Sequence, residues 1–199
     1  PGHLRQSMSL VRLTANSVIA HCAIVLQRRR DTKYAAVVGL WIACLNEQLS
    51  ETYNGAKMAG IHFKLYGHQG GMTLHTSGFS NRQLVLCQEI LSFIKNLQIK
   101  PAIFIVVKQK LISSLKNTLL NKPVNQLFAD INIVIQENTF SQDSILDEVE
   151  KLKLSELNRQ AVTYFEKIHI EGLAVGNWTF AQINSFHTKV IECFKDMDK

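Results

Sequence analysis

Two strand-like segments lie near opposite ends of this 199-residue chain, and most of the sequence between them has helical periodicity. The first, Val18–Leu26, is a nearly continuous apolar run, as is typical of a strand buried on both faces of a sheet. The second spans residues 168–175. Because strands satisfy their backbone hydrogen bonds only in a sheet, we expect the second segment to return to the sheet that the first one begins.

A predicted hairpin supplies the other strands of this sheet. Apolar and polar residues alternate over Ile61–Tyr66 and again over Met72–Phe79, and the glycine-containing segment His68–Gly71 between them is typical of a turn. Helical patterns dominate the second half of the chain. The sequence therefore predicts the α+β class, with an antiparallel or mixed sheet and helices packed on it.

Capping signals mark where several helices begin. Thr179 and Gln182 have the spacing of a capping box, and Trp178 and Ile183 flank them as a hydrophobic staple, so the last helix starts here. The segment before it, "HIEGLAVGNW", then reads as a strand and a tight turn with a structural role. Other helices are predicted to begin near Asp31, Ser80, Pro101, Pro123, Ser141 and Leu154.

No Pro-, Gly- or Ser-rich linker interrupts this pattern, so we predict a single domain over residues 18–199. Residues 1–17 fit the pattern poorly and are predicted to form a leading segment. A hydrophobic content of 46% is sufficient for a sizeable core. The apolar positions of the predicted elements assign six residues to that core: Trp41, Phe63, Leu91, Val107, Ile131 and Leu173.

The chain is basic, with a net charge of +6, but its only concentrated positive charge is the run Arg28–Arg30. This run is the candidate contact for a polyanion or an acidic substrate, and the alternative is a solvated loop. It lacks the interleaved aromatic residues that stack on nucleic acid bases, so a nucleic acid partner is disfavoured. The longest apolar stretch, Ala35–Leu45, is shorter than the roughly 20 residues of a membrane span, so no membrane partner is predicted.

Histidines are the first candidates for a metal site. His62, His68 and His75 lie on or near the predicted hairpin, but solvent-facing side chains explain them more simply than a metal site does. His169 and Glu171 share a strand face, which is only half of a site. The residues therefore predict no metal site and no cofactor in this chain.

Nucleophilic catalysis is not indicated either. The sequence has no G-x-S-x-G elbow, and no cysteine has a neighbour in sequence that would lower its pKa. The cysteines form no C-x-x-C pair and lie in apolar segments, which favours buried reduced thiols. They are Cys22, Cys44, Cys87 and Cys193.

Three motifs in order resemble one family. The stretch 45–91, "LNEQLSETYNGAKMAGIHFKLYGHQGGMTLHTSGFSNRQLVLCQEIL", is similar to the helix, Ala-Gly and hairpin sequence in the third domain of the insulysin and pitrilysin family of zinc metallopeptidases. "LKNTLLNKPVNQLF" resembles the Lys-Pro helix junction of that domain, and "HIEGLAVGNWT" resembles its closing motif. The resemblance extends from about Val18 to Phe194.

The resemblance implies a degenerate copy of the mitochondrial-processing-peptidase-like metallohydrolase fold. Enzymes of this family carry four related domains in two halves that close around a peptide, and zinc is held in the first domain by an H-x-x-E-H helix. The counterpart here, the helix predicted from Thr32 to about Leu49, contains no histidine. We therefore expect a non-catalytic module that forms part of the wall of the peptide-enclosing chamber, contacts other domains of the same peptidase, and is inactive alone.

A second function stays open at this stage. The chain could instead be a freestanding, inactive peptidase-like subunit that binds a partner protein or a peptide. Zinc is expected only in the catalytic domain of the parent enzyme. The sequence does not identify the substrate of that parent, and it leaves a periplasmic and a cytoplasmic location open.

Overall fold

The computed structural model of the protein describes residues 20–27, 31–68, 71–78, 82–96, 98–136, 139–164, 170–176 and 178–195. The elements in chain order are β1 (Ala20–Gln27), α1 (Thr32–Thr52), α2 (Asn54–Met58), β2 (His62–His68), β3 (Gly71–Gly78), α3 (Gln83–Asn96), α4 (Pro101–Leu119), α5 (Pro123–Ile135), α6 (Gln142–Lys151), α7 (Leu154–Tyr164), β4 (Ile170–Val175) and α8 (Phe180–Lys195).

The four described strands form one sheet in the order β2-β3-β1-β4. Every neighbouring pair is antiparallel, and Ile24 of β1 lies opposite Leu74 of β3 on one side and Gly172 of β4 on the other. Leu74 in turn lies opposite Leu65 of β2. The α+β prediction is confirmed, and of the two sheet types considered, the antiparallel one is present. The two strands that are distant in sequence, β1 and β4, are neighbours in the sheet.

One face of the sheet is covered by helices of the first unit. Leu65, Leu74 and Ala174 lie on this face and are buried, and α3 packs on β3 and against α8. Leu173 was predicted to be core, but this is wrong, because its side chain is 40% exposed. Since side chains alternate along a strand, Leu173 points to the opposite face of the sheet from Ala174.

The start of α8 confirms the capping box predicted from the sequence. The Thr179 N–H donates to Gln182 Oε1 at 2.9 Å, and the Gln182 N–H donates to Thr179 Oγ1 at 3.3 Å. Trp178 and Ile183 belong to one buried cluster with Ala174 of β4. This local structure joins the last strand to the last helix, in keeping with the structural role expected of the segment.

The described residues form two compact units. Those within 1–28, 48–97 and 162–199 form the first unit, and those within 29–47 and 98–161 form the second. The first contains the sheet with α2, α3 and α8. In the second, α4 packs against α6. The ammonium group of Lys108 donates to the carbonyl oxygens of Glu150 and Leu152, and these bonds join the middle of α4 to the C-terminal end of α6.

Burial of the remaining core predictions is mixed. Trp41, Leu91 and Val107 are buried as predicted, and Phe63 is half-buried. Ile131 was also predicted to be core, but it is 39% exposed, so this prediction is wrong. The reason lies in α5 as a whole, because no residue of this helix is buried.

Candidate functional site

Helix α1 is the element that the family resemblance compares with a zinc-binding helix. Asp31 caps its first turn, since Asp31 Oδ1 accepts a hydrogen bond from the Tyr34 N–H at 2.6 Å. The helix carries no histidine between Thr32 and Thr52, and its two glutamates, Glu47 and Glu51, are exposed. A catalytic zinc of this class needs two histidines on one helical face and a glutamate beside them, so the residues of α1 do not fit that ion.

The candidate histidines of the hairpin share one face of the sheet. His62 is exposed, whereas His68 and His75 are half-buried. Lys64 lies directly opposite His75 in the pairing of β2 with β3, on the same face, so its positive charge opposes the binding of a cation there. Within the described ranges no group of three or more His, Cys, Asp or Glu side chains is placed to hold a metal ion.

Cys44 and Cys87 are the two thiols within the described side chains, and both are buried and outside any disulfide. Burial, together with the nearby Glu47 carboxylate, raises the pKa of the Cys44 thiol to about 12. A thiol with such a pKa is protonated at neutral pH and is a poor nucleophile. Cys87 is fully buried as well, so neither thiol is accessible to a substrate at the surface.

Other candidate residues lie outside the described part of the chain. Arg28, Arg29 and Arg30, the predicted polyanion contact, fall in a gap between β1 and α1, and His169 precedes β4. The backbone of Glu171 pairs with Val25 within the sheet. The polyanion contact therefore stays a prediction from the sequence.

Tyr53 and Phe93 are the aromatic residues that line a cleft in the first unit, beside polar side chains of α3. Tyr53 makes edge-to-face contacts with Phe63 and Phe93, with ring centroids 6.2 and 6.1 Å apart, and the Lys57 ammonium lies 5.0 Å from the Phe63 ring centroid. Burial and the nearby Glu89 carboxylate raise the pKa of the Tyr53 phenol. The phenol is thus held in its neutral form, which suits a packing role and not that of a catalytic base.

A second cleft lies in the second unit, along one side of α4. It has a volume of about 820 Å³ and combines apolar side chains such as Ile105 and Val106 with serine, threonine and amide groups. Its only titratable side chain is Lys110, which forms an ion pair with Glu47 at 3.3 Å. Apart from this paired lysine, the cleft is lined by apolar, hydroxyl and amide side chains, so its chemistry is that of a binding surface.

A neighbouring cavity of about 550 Å³ separates the polar side of α5 from the segment that leads into α6. Amide and hydroxyl groups dominate its wall, including those of Asn125, Asn132 and Ser141. Ser141 also caps α6, since its Oγ accepts from the Ser144 N–H at 3.2 Å. The apolar side of α5 faces away from this cavity. The apolar residues on that side recur at helical spacing in the sequence, and this spacing led to the wrong core assignment of Ile131.

Comparison with known proteins gives a consistent result. A family model described as the middle or third domain of peptidase M16 matches residues 18–148. An insulin-degrading enzyme of Drosophila melanogaster is 24% identical over 151 residues, which are 76% of this chain and 15% of that enzyme. The chain thus spans about one-seventh of the length of this curated relative.

Solved structures share the fold. The chain matches crystalline pitrilysin with a TM-score of 0.79 at 16% identity, over 96% of this chain and 21% of pitrilysin. It matches the peptidase M16 inactive domain from Pseudomonas fluorescens with a TM-score of 0.68 at 9% identity, over 94% of this chain and 50% of that one. None of the helices in the described ranges is both long and apolar enough to cross a membrane.

Proposed function

Because this chain belongs to the family of middle, or third, domains of peptidase M16, we propose that it is a non-catalytic module of a larger zinc metalloendopeptidase. In this proposal residues 18–199 form one domain of the C-terminal half of the enzyme. The domain contributes part of the wall of a chamber that encloses the peptide substrate, and it contacts other domains of the same polypeptide.

The observation that carries this proposal is the composition of α1. A helix at this position would have to supply two histidines and a general base to activate water on zinc, and α1 supplies no histidine. The similarity to insulin-degrading enzyme, in which this region is only 15% of the length, supports a role as one part of a longer chain. A wall that orients the substrate can still raise the rate of a reaction whose reacting groups lie elsewhere.

The alternative is a freestanding inactive subunit that binds a partner protein or a peptide. The chain also matches half of a solved peptidase M16 inactive domain, and this match is compatible with the freestanding function. The length of the natural polypeptide discriminates between the two. A chain roughly four to five times as long that contains H-x-x-E-H supports the module, whereas a stop near residue 199 supports the freestanding subunit.

A reconstitution experiment tests the module directly. The purified 199-residue chain is analysed for zinc and assayed with a quenched fluorescent peptide, alone and mixed with the N-terminal half of the complete polypeptide. We expect no cleavage by either part alone and chelator-sensitive cleavage by the mixture. If the isolated chain cleaves the peptide and a chelator abolishes that cleavage, the non-catalytic assignment is refuted. A mixture no more active than the N-terminal half alone would refute the supporting role.

A further inference from the structure

Helix α5 presents its apolar side to solvent. Six apolar side chains lie at helical spacing along it, and all six are exposed: Val124, Leu127, Phe128, Ile131, Val134 and Ile135. The exposed fraction reaches 86% at Val134 and 73% at Ile135. We call this set the α5 stripe. A soluble protein rarely leaves a contiguous apolar patch of this kind, on the order of several hundred Å², without a function for it.

The opposite side of the same helix faces the rest of the chain. Ala129 and Ile133 are half-buried, and with Asn125, Asn132 and their neighbours they line the cavity of about 550 Å³ beside α6. No member of the α5 stripe lines this cavity. A surface helix normally turns its apolar stripe toward the core and its polar side toward water, and α5 does the reverse.

From this reversal we infer that the α5 stripe is an interdomain docking surface, covered in the complete protein by an apolar, uncharged surface on another domain of the same polypeptide. This inference rests on the proposed function and names the element through which the module contacts its neighbour. The same fold covers only 21% of the pitrilysin chain, so a further domain is available in a chain of that length.

The size of the surface favours a partner in the same polypeptide over a second copy. A helix of 13 residues is about 20 Å long, and its stripe buries less than the roughly 800 Å² per partner of a stable free association. A covalently joined domain needs less area, because its effective concentration is already high.

The charge of the helix argues against a lipid surface. Helices that lie on membranes are rich in Lys and Arg on their polar side, whereas the polar side of α5 carries Asn125, Gln126 and Asn132, and its only ionisable residue is Asp130. The stripe itself contains no charged residue, so the matching surface must be apolar and uncharged, since an unpaired charge buried against it would be costly.

Site-specific thiol labelling tests the docking surface. Val134→Cys and the matched control Asn125→Cys, on the polar side of the same helix, are introduced into the 199-residue chain and into the complete polypeptide. Labelling by a maleimide is followed by peptide-resolved mass spectrometry, which separates these positions from the natural cysteines. We expect Val134→Cys to react at least tenfold more slowly in the complete polypeptide than in the 199-residue chain, and Asn125→Cys to react at similar rates in both.

Each other outcome contradicts the inference. Equal rates at Val134→Cys in the two forms mean that nothing covers the stripe. Protection that appears in the 199-residue chain and grows with its concentration assigns the stripe to a second copy, and protection only with vesicles of phosphatidylcholine and phosphatidylglycerol assigns it to a lipid surface. Equal protection of both positions means that the whole helix is covered. The reconstitution assay measures peptide cleavage, whereas this experiment measures labelling. The proposed function as a module can therefore be correct even if the α5 stripe is not a docking surface.

Discussion

The backbone of Gly78, at the end of β3, lies directly against the carbonyl group of Gly60. A Cβ atom added to Gly78 would lie 2.8 Å from the Gly60 oxygen and 3.2 Å from the Cα of Ile61. Gly60 itself has a φ of 77°, a left-handed conformation that favours glycine, and it follows α2. The Gly78 carbonyl is fixed from the other side, because Gln83 Nε2 donates to it at 2.6 Å in a buried position. The end of the hairpin is thus fixed on both sides.

We therefore predict that Gly78→Ala lowers the free energy of unfolding by about 1–3 kcal/mol, the usual range for overpacking. The contacting atoms belong to the backbone and cannot move aside as a flexible side chain can. Gly39→Ala is the matched control, because a Cβ at this exposed position of α1 would have nothing within 4 Å. It should raise stability by up to about 1 kcal/mol. Urea denaturation measures both, and equal effects of the two variants would contradict the close approach.

The capping box of α8 leads to a second prediction. Thr179→Ala removes the hydroxyl that accepts from the Gln182 N–H, so we expect a loss of about 1 kcal/mol in the free energy of unfolding. Thr188→Ala is the control, since its Oγ1 donates to the Asn184 carbonyl within the same helix and caps nothing. Alanine favours a helix interior, so the control should be neutral or slightly stabilising. A control that costs as much as Thr179→Ala would rule out the capping explanation.

The buried thiol of Cys44 predicts a dependence of stability on pH. Its pKa is raised from 9.0 to about 12 in the folded protein, so folding favours the protonated form. This contribution is fully present below pH 9, the unfolded pKa, and is lost as the pH rises from about 9 toward 12. The comparison is between the natural chain and Cys44→Ala in urea at pH 8 and pH 10.5. We expect the stability advantage of the natural chain to be smaller at the higher pH, whereas a constant difference would show that the thiol does not titrate in this way.

The arginine run gives a prediction that depends on the sequence alone. If Arg28, Arg29 and Arg30 contact a polyanion, replacing all three by alanine should weaken the binding of inorganic polyphosphate at least tenfold at low ionic strength. The same replacement should matter less at high salt, because screening shortens the range of surface attraction to about 10 Å at 0.1 M. Fluorescence anisotropy at fixed salt measures the affinity. Unchanged binding by the triple variant would leave only the solvated-loop interpretation.

Local signals in the sequence predicted local structure well. The capping pair Thr179 and Gln182, the cap at Asp31 and the cap at Ser141 are each formed by residues a few positions apart, so their geometry depends little on the rest of the chain. Such signals predict the structure of one helix or strand but not what that element packs against. Periodicity identified the apolar stripe that contains Ile131, but it does not specify whether a stripe meets this chain or another surface.

Features that join distant segments could not be predicted in the same way. The approach of Gly78 to Gly60 depends on how the end of β3 meets the turn after α2, and neither segment alone contains that information. Leu173 was misassigned for a related reason. The apolar character of a strand residue predicts a buried side chain only when both faces of the sheet are known to be covered. For the candidate site, the sequence alone showed that α1 lacks histidine, whereas the clefts beside α4 and α5 became visible only in the structure.

The position of β1 between β3 and β4 also constrains the order in which the protein can fold during synthesis. The hairpin can pair with β1 as soon as it leaves the ribosome, because Leu74 and Ile24 are separated by few elements. The other edge of β1 must wait until five more helices have been made, since its partner is β4. During that interval the edge of β1 that later pairs with β4 is open, and it can pair with strands of other nascent chains. Completion of the sheet is thus a late, long-range step, and we expect newly made chains to depend on chaperones until β4 has emerged.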